Sequence, residues 1–196
     1  MSAVVNRTLS GILYIALLVG AILFSKDTFL ALFAFFFIVA VYEFCQLYHI
    51  NKIWGYIWSI LLASSFIFVD NLPINSSYLI VLPFSIFLII DLLQNKASSK
   101  PSTFQKYLHL TGYVVLPFLI ITQLPYSNQS YTPLLLLSIF IMIWCNDTFA
   151  YICGKLLGKH KLYEKISPKK TIEGFIGGLI FTQIAAFIIF KYTDIQ

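Results

Sequence analysis

The chain has 196 residues, of which 59% are hydrophobic and 11% are charged, with a net charge of +5 and a mean hydropathy of +0.85. A soluble domain usually has about 25% charged residues, so the composition excludes a water-soluble globular fold, a disordered tail and a secreted disulfide scaffold. We therefore predict an all-α fold, a polytopic bundle of transmembrane helices, and no nucleic-acid partner.

Apolar stretches recur along the whole chain and predict about seven membrane spans, since a helix needs about 20 residues to cross the hydrocarbon. We assign residues 1–130 to N-terminal transmembrane helices and residues 131–196 to the start of a catalytic-type region. In chain order the predicted spans are Leu9–Phe24, Thr28–Leu47, Ile53–Val69, Tyr78–Leu93, Leu108–Leu124, Pro133–Ile152 and Phe175–Phe190.

Basic residues predict the orientation of these spans. If the N-terminus is cytoplasmic, every basic residue except Lys26 and Lys191 falls on the cytoplasmic side. The connections at 70–77 and 126–131, on the opposite side, contain no Lys or Arg. This asymmetry follows the positive-inside rule, and we therefore predict a cytoplasmic N-terminus.

Three acidic residues lie within or at the ends of predicted spans, where an acid is costly and usually has a partner or a function. We interpret Asp91 as an ordinary interfacial acid. For Glu43 two roles stay open, a structural partner for a neighbouring helix or a site residue. The third acid is Asp147, which follows a long apolar run.

Helical periodicity places Asp147, Ala150, Tyr151, Gly154 and Gly158 on one face if the helix continues. An acid and a tyrosine would then lie beside small residues that admit a ligand or another helix. Two interpretations stay open, a solvated acid at a helix end and a metal or phosphate site that is reached from the cytoplasm.

The cytoplasmic segment 154–173 is strongly basic. In it Ser167 precedes Pro168, which predicts a helix start there, because Pro suits the first helical position and Ser can cap it. Free amides at a helix start, with the side chains of Lys169, Lys170 and Thr171, would form a phosphate-binding surface.

Residues after these lysines add to the same hypothesis. Glu173 could hold a divalent cation that bridges phosphates. The glycines at 174, 177 and 178 permit close approach of a helix or a ligand. The alternative for this segment is a lysine patch on anionic lipid together with a packing face of glycines. Acids, lysines and a helix start at the membrane surface favour metal-assisted phosphoryl or nucleotidyl transfer.

The stretch from Asn146 to Gly178 closely resembles a sequence of the phosphatidate cytidylyltransferases, also called CDP-diacylglycerol synthases. The family pattern runs Asp-x-x-Ala-Tyr, then a Gly- and Lys-rich segment, then Ser-Pro-Lys-Lys-Thr-x-Glu-Gly and paired glycines. Here the matching residues are Asp147, Ala150, Tyr151, Gly154, Lys155, Gly158, Lys159, Lys161, Leu162, Ser167, Pro168, Lys169, Lys170, Thr171, Glu173, Gly174, Gly177 and Gly178.

This resemblance implies an integral enzyme of phospholipid synthesis in a bacterial inner membrane, with its active face in the cytoplasm. It implies CTP and phosphatidate as substrates, membrane lipid as surroundings, Mg²⁺ as cofactor, and CDP-diacylglycerol and pyrophosphate as products. The implied catalytic residues are Asp147, Lys170 and Glu173, of which Asp147 and Glu173 bind the metal. The implied substrate-binding residues are Tyr151, Lys155, Lys159, Ser167, Lys169 and Thr171.

The family pattern also ends in a downstream signature, a Lys-Asp pair followed by His-Gly-Gly and Asp-Arg-x-Asp, which this chain lacks. We therefore expect either the N-terminal portion of a longer protein or a member that does not catalyse alone. Two other function classes stay open. One is a CTP-dependent kinase of a membrane lipid alcohol, and the other is a non-catalytic membrane partner or transporter. A homo-oligomer is compatible with the sequence.

Overall fold

The computed structural model describes residues 3–68, 74–93, 101–127, 130–164 and 167–193, and it confirms the all-α fold. A π-helical segment, Thr111–Val115, lies within one continuous helix, Thr103–Gln123. The helices are α1 Ala3–Phe24, α2 Lys26–Leu47, α3 Lys52–Phe68, α4 Ile74–Leu93, α5 Thr103–Leu110, α6 Leu116–Gln123, α7 Pro133–Leu157 and α8 Ile172–Tyr192. Two antiparallel hairpins accompany them, β1 (Tyr126–Ser127) with β2 (Ser130–Tyr131) and β3 (Lys161–Tyr163) with β4 (Ser167–Thr171).

Each predicted span coincides with one of these helices, counting α5 to α6 as one, apart from the last residues of two spans. Val69 lies outside the described residues, and Leu124 follows the end of α6. In the described part of the chain, four helices are both long and apolar enough to cross a membrane: α2, the continuous helix Thr103–Gln123, α7 and α8. Among the described residues, length and composition therefore support about four spans, fewer than the seven expected. The helix α3 has only 17 residues, and the described apolar stretches of α1 and α4 are the shorter Leu9–Phe24 and Leu82–Leu93. The protein is an integral membrane protein.

The chain divides into two compact units. We call Met1–Leu23 with Pro125–Gln196 the terminal unit, and Phe24–Leu124 the central unit. The central unit ends close to the predicted division at residue 130. The structure, however, groups α1 with the later segment, where the Tyr131 hydroxyl donates a hydrogen bond to the carbonyl of Ile22 over 2.8 Å. The division between N-terminal helices and a catalytic-type region stays a prediction.

The core of the central unit is built from large apolar side chains. Buried residues of α2 meet buried residues of α5, the π-helical segment and the turn before α3. Gly55 allows α3 to pack on α2, because a Cβ at this position would overlap the Sγ of Cys45. The buried cluster consists of Val41, Cys45, Ile50, Leu110, Val114 and Val115.

The turn between α2 and α3 is a Schellman motif. The amide of Ile50 donates to the carbonyl of Cys45 over 2.9 Å, and the amide of His49 donates to the carbonyl of Gln46. His49 has a φ of 52°, the left-handed conformation that glycine normally supplies at this position. The turn therefore stores backbone strain that a glycine would remove.

A buried histidine links α4 to α5. His109 is 6% exposed, and its Nε2 lies 3.1 Å from a carboxylate oxygen of Asp91. The rings of Tyr48, Phe87 and Tyr113 lie 5.6, 5.8 and 5.9 Å from the imidazole. Among the described residues its buried Nδ1 has no hydrogen-bond partner. Asp91 therefore has a specific partner, beyond the general interfacial role expected for it.

Candidate active site

The candidate site lies in the terminal unit, where α7 and α8 pack through glycines. Gly174, Gly177 and Gly178 are all buried. A Cβ at Gly174 would lie 2.7 Å from the carbonyl oxygen of Ala150, and one at Gly178 would lie 2.7 Å from Oδ1 of Asn146. At Gly174 the neighbouring atom belongs to the backbone and cannot move aside, so a side chain there would push the helices apart. The glycines therefore serve the approach of helix to helix, as in membrane interfaces of small residues.

Thr171 marks the start of α8. Its Oγ1 accepts a hydrogen bond from the amide of Gly174 over 3.1 Å, and its backbone is extended, as an N-cap requires. The same hydroxyl faces α7, since a Cβ at Gly154 would lie 3.1 Å from it. Thr171 therefore caps α8 at the point where α8 crosses α7.

The predicted helix start at Ser167 and Pro168 is wrong. Residues Ser167–Thr171 form strand β4, in which Ser167 pairs with Tyr163 and Thr171 pairs with Lys161. The physical reason is the antiparallel pairing with β3, which keeps the backbone extended through Lys169 and Lys170, where a helix would need α conformations. The helix begins only where Thr171 can cap it.

Glu173 fixes the end of the basic loop to the start of α8. Its carboxylate accepts hydrogen bonds from the amides of Lys159 (3.1 Å) and His160 (3.2 Å). The His160 imidazole also donates to it, with Nδ1 2.6 Å from Oε1. In the opposite direction, the amide of Ile172 donates to the carbonyl of His160 over 2.9 Å. A metal ion at Glu173 would have to compete with these donors.

The basic residues of the site are exposed. Lys155, Lys159, Lys169 and Lys170 all lie at the surface, whereas the Lys161 ammonium donates to the carbonyl of Pro168. Within the described part of the chain, no lysine forms an ion pair with a carboxylate. The hairpin β3–β4 and the preceding loop therefore present positive charge that the described acids do not neutralise.

The acid and the tyrosine predicted on α7 lie beside the glycine contact. Asp147 is exposed and has no ion-pair partner among the described residues. Tyr151, one turn later, is 68% exposed, and the Lys155 ammonium lies 5.9 Å from the centroid of its ring. Nowhere in the described ranges do three or more His, Cys, Asp or Glu side chains assemble as metal ligands.

Glu43 is exposed on α2, in the central unit.

The structure therefore brings Lys159, Thr171 and Glu173 together at the start of α8, and it places Ser167, Lys169 and Lys170 on the adjoining strand. It does not bring Asp147 into a cluster with other acids. Sequence reasoning missed His160, whose imidazole holds Glu173. No local pattern could have indicated this contact, because the two residues are 13 positions apart and meet only through the hairpin.

Comparison with known proteins gives one family match and several similar proteins. Residues 5–196 match the family described as "Cytidylyltransferase family". A protein of Staphylococcus haemolyticus named "Phosphatidate cytidylyltransferase" is 37% identical over 126 residues, which cover 64% of this chain and 45% of that protein. A protein of the same name from Staphylococcus epidermidis is 31% identical over 199 residues, which cover 97% of this chain and 73% of that protein.

The extent of the similarity differs between relatives. A Staphylococcus aureus protein of the same name is 36% identical over 116 residues, which cover 59% of this chain and 42% of that protein. The chain thus matches about half the length of several of these relatives. No solved structure matches it. The family match extends from residue 5 to residue 196 and includes the whole α7–α8 region, and on this ground the chain belongs to the cytidylyltransferase family.

Proposed function

We propose that the protein acts in the transfer of a cytidylyl group from CTP to phosphatidate, which yields CDP-diacylglycerol and pyrophosphate. Membership of the cytidylyltransferase family and the printed names of the staphylococcal relatives support this reaction. The kinase, the transporter and the non-catalytic partner have no comparable support from the described residues.

One observation carries the proposal. The loop and hairpin before α8 expose Lys155, Lys159, Lys169 and Lys170 with no ion-pair partner among the described acids. Ammonium groups of this kind bind phosphate oxygens through charge-assisted hydrogen bonds. Both substrates of the proposed reaction are phosphate compounds, so the uncompensated charge matches what they carry.

The hairpin needs a rigid base to present these lysines, and the α7–α8 contact provides it. Glu173 holds the amides of Lys159 and His160 at the start of α8. Thr171 caps the same helix. We assign Glu173 and Thr171 to positioning, and Lys169 and Lys170 to the phosphates of the substrates. Ser167 and Tyr151 are the uncharged groups that we assign to substrate contacts.

Magnesium is part of the proposal, with Asp147 as its ligand from this chain. Mg²⁺ is commonly held by one or two carboxylates together with substrate phosphates, and the exposed carboxylate of Asp147 fits that role. When bound, the ion would neutralise charge on the phosphates. Glu173 fits a metal less well, because its carboxylate already accepts hydrogen bonds from Lys159 and His160.

In the proposed reaction a phosphate oxygen of phosphatidate forms a bond to the α-phosphorus of CTP. The bond from that phosphorus to the bridging oxygen breaks, and pyrophosphate leaves with the electron pair. Lys169 and Lys170 would orient the phosphates and stabilise the negative charge that develops on their oxygens. The chain itself forms no covalent bond to the substrate.

We further propose that the site faces the cytoplasm of a bacterial cell, at the inner membrane. CTP is a cytoplasmic solute and phosphatidate is a membrane lipid, so the two can meet only at the cytoplasmic surface. The distribution of basic residues in the sequence supports the same orientation.

Nucleotide selectivity and product identity test this function. The purified chain in phosphatidate-containing micelles with MgCl₂ is expected to bind labelled CTP saturably, and excess unlabelled CTP should displace it while ATP should not. Any lipid product formed is expected to be CDP-diacylglycerol, with release of pyrophosphate.

A second arm supplies a polyprenol and CTP labelled at the γ-phosphate. Transfer of that label to the alcohol would contradict the proposal and favour the kinase. Absence of CTP binding by a folded chain would contradict both enzymatic functions.

A further inference from the structure

His160 lies where the basic loop meets the start of α8, and its exposed side chain is held in one orientation. The imidazole is 75% exposed, yet its Nδ1 lies 2.6 Å from Oε1 of Glu173. The backbone of His160 is fixed as well, because its amide donates to the Glu173 carboxylate over 3.2 Å and its carbonyl accepts from the amide of Ile172 over 2.9 Å. The ring is therefore presented to solvent from a fixed base.

The contact with Glu173 decides which ring nitrogen is free. An ionised carboxylate only accepts hydrogen bonds, and that of Glu173 already accepts from the amides of Lys159 and His160. Nδ1 therefore carries the proton of the contact with Oε1. Nε2 forms no hydrogen bond with any residue that the structure describes. When a carboxylate holds one nitrogen of a histidine in this way, the other nitrogen is the one that meets a ligand.

A metal ion is one ligand that a free imidazole nitrogen takes, but the surroundings of His160 do not suit it. In the described part of the chain, no third His, Cys, Asp or Glu side chain joins His160 and Glu173 to complete a set of metal ligands. The Glu173 carboxylate also already has its own donors. The neighbours of His160 in the chain are Lys159 and Lys161, which favour an anion over a cation.

A phosphate group suits the free nitrogen whichever partner holds the proton. A phosphate monoester loses its last proton at about pH 6, so both of its forms are present near neutral pH. A protonated phosphate oxygen donates to the lone pair of Nε2, and a deprotonated oxygen accepts from the N–H of an imidazolium. With an ionised phosphate the hydrogen bond is charge-assisted, and such bonds are roughly twice as strong as neutral ones.

We propose that Nε2 of His160 binds a phosphate oxygen of a substrate, so that His160 is a substrate-contacting residue which Glu173 orients. This inference rests on the proposed function, because it takes the phosphate compounds of that reaction as the ligands. CTP and the headgroup of phosphatidate offer the same phosphate chemistry, and separate binding measurements distinguish them. The contact adds direction to the site, since a held imidazole bonds along one line, whereas a lysine acts as a point charge.

Substitutions at this one position separate a substrate contact from a structural role. His160→Asn keeps an N–H on the atom attached to Cγ, as in Nδ1, so Glu173 keeps its donor while Nε2 is removed. His160→Gln instead places an amide N–H near the position of Nε2. His49→Asn makes the same change in the central unit, at another exposed histidine, and serves as the matched control.

Equilibrium binding at pH 7 in neutral detergent micelles with MgCl₂ tests the proposal with three probes. They are labelled CTP, labelled inorganic pyrophosphate and a labelled short-chain, water-soluble phosphatidate, each supplied alone. His160→Asn is expected to weaken binding of at least one probe by about tenfold, the size expected for a charged hydrogen bond. His160→Gln should lose less, and His49→Asn should lose nothing. A loss confined to phosphatidate assigns the contact to the lipid headgroup, and a loss confined to CTP and pyrophosphate assigns it to the nucleotide.

Hydrogen exchange at the Lys159 amide gives the structural readout. This amide donates to Glu173, so its exchange rate reports whether the loop is still held at the start of α8. In His160→Asn the rate should equal that of the wild-type chain while the affinity falls.

Two results would overturn the proposal alone. One is unchanged affinity of His160→Asn for every probe that the wild-type chain binds. The other is a loss of affinity together with faster exchange at the Lys159 amide, which would mean that His160 only supports the loop.

Failure of the proposed function gives a different pattern. If the wild-type chain binds pyrophosphate but does not distinguish CTP from ATP, the cytidylyl function is contradicted, and weaker pyrophosphate binding by His160→Asn would still support the phosphate contact. If the folded wild-type chain binds none of the three probes, both proposals are overturned.

Discussion

Two helix contacts of this protein are packed in opposite ways, one through glycines and the other through bulky side chains. In the terminal unit, α7 and α8 approach closely because Gly174, Gly177 and Gly178 have no side chain at the crossing. In the central unit, α2 and α5 are held apart by a filled core of bulky residues such as Val41 and Leu110.

The two contacts support different parts of the protein. The close α7–α8 contact fixes the start of α8, and through Glu173 and Thr171 it fixes the hairpin that presents the lysines. Functional groups need such rigid support, because small displacements are costly for binding and catalysis. The filled core of the central unit instead supports an apolar surface and the buried imidazole of His109.

Gly174→Val should break the α7–α8 contact and have the largest effect. Its Cβ would meet the carbonyl oxygen of Ala150, a backbone atom that cannot move aside. We expect the free energy of unfolding to fall by about 3 kcal/mol, at the upper end of overpacking costs. Denaturant titration in detergent measures it.

Gly20→Ala is the matched control, because a Cβ at this position of α1 meets nothing within 4 Å. It should leave stability unchanged or raise it by up to about 1 kcal/mol, the helix-propensity difference between Ala and Gly. Equal destabilisation by both substitutions would mean that the glycines of α8 are not a packing device.

His109→Ala probes the central unit in the same assay. It removes a buried ring that contacts Tyr48, Phe87 and Tyr113 and pairs with Asp91. We expect a loss of about 2 kcal/mol, the lower end for a large-to-small change in a core. Asp91→Asn, which keeps an acceptor for Nε2, should cost less. If Asp91→Asn lowers the free energy of unfolding more than His109→Ala does, the packing of the ring is not the main source of stability.

In both units, some features could be predicted from the sequence and others could not. Apolar stretches predicted the seven helices, because each is a local property of about 20 residues. For the site, the sequence supports hypotheses only: the residues between Asp147 and Glu173 are assigned from their types, their helical spacing and a family resemblance, and their roles stay predictions. The pairs His109–Asp91 and Trp58–Thr111 were not predictable, since they join residues 18 and 53 positions apart.

Within the hairpin, the sequence preference for a helix start conflicts with the pairing of the strands. Ser167 before Pro168 satisfies the rule for a helix start, yet the strand pairing of Ser167 with Tyr163 prevails. Thr171 then provides the cap. Neither the strand partner nor the role of His160 has a signature in the sequence, because both depend on how the chain returns across the turn of the hairpin.

Glu173→Ala should loosen the hairpin without unfolding the helix pair. The amides of Lys159 and His160 would lose their acceptor, so their hydrogen exchange should become about tenfold faster or more. Exchange in the middle of α7 and α8 should stay unchanged. Unaltered exchange at both amides, together with a changed requirement for Mg²⁺, would instead identify Glu173 as a metal ligand.

His49→Gly should have the smallest effect and the opposite sign. The residue has a φ of 52° in the Schellman turn after α2, a conformation that costs a residue with a Cβ about 1 kcal/mol or more. Glycine removes this strain, so we expect the free energy of unfolding to rise by about 1 kcal/mol. His49→Ala keeps the Cβ and should bring no gain. A gain equal to that of His49→Gly would remove strain as the cause.

The central claim is that the lysines of the hairpin bind the phosphates of CTP. The most direct test compares the CTP affinity of the wild-type chain with that of Lys169→Gln, Lys170→Gln and Lys191→Gln in phosphatidate-containing micelles. Lys191 lies at the other end of α8 and serves as the matched control. We predict a loss of about tenfold for each hairpin variant, the size expected for a charged hydrogen bond, and no change for Lys191→Gln. Equal affinity of all four proteins, each folded, would contradict the account.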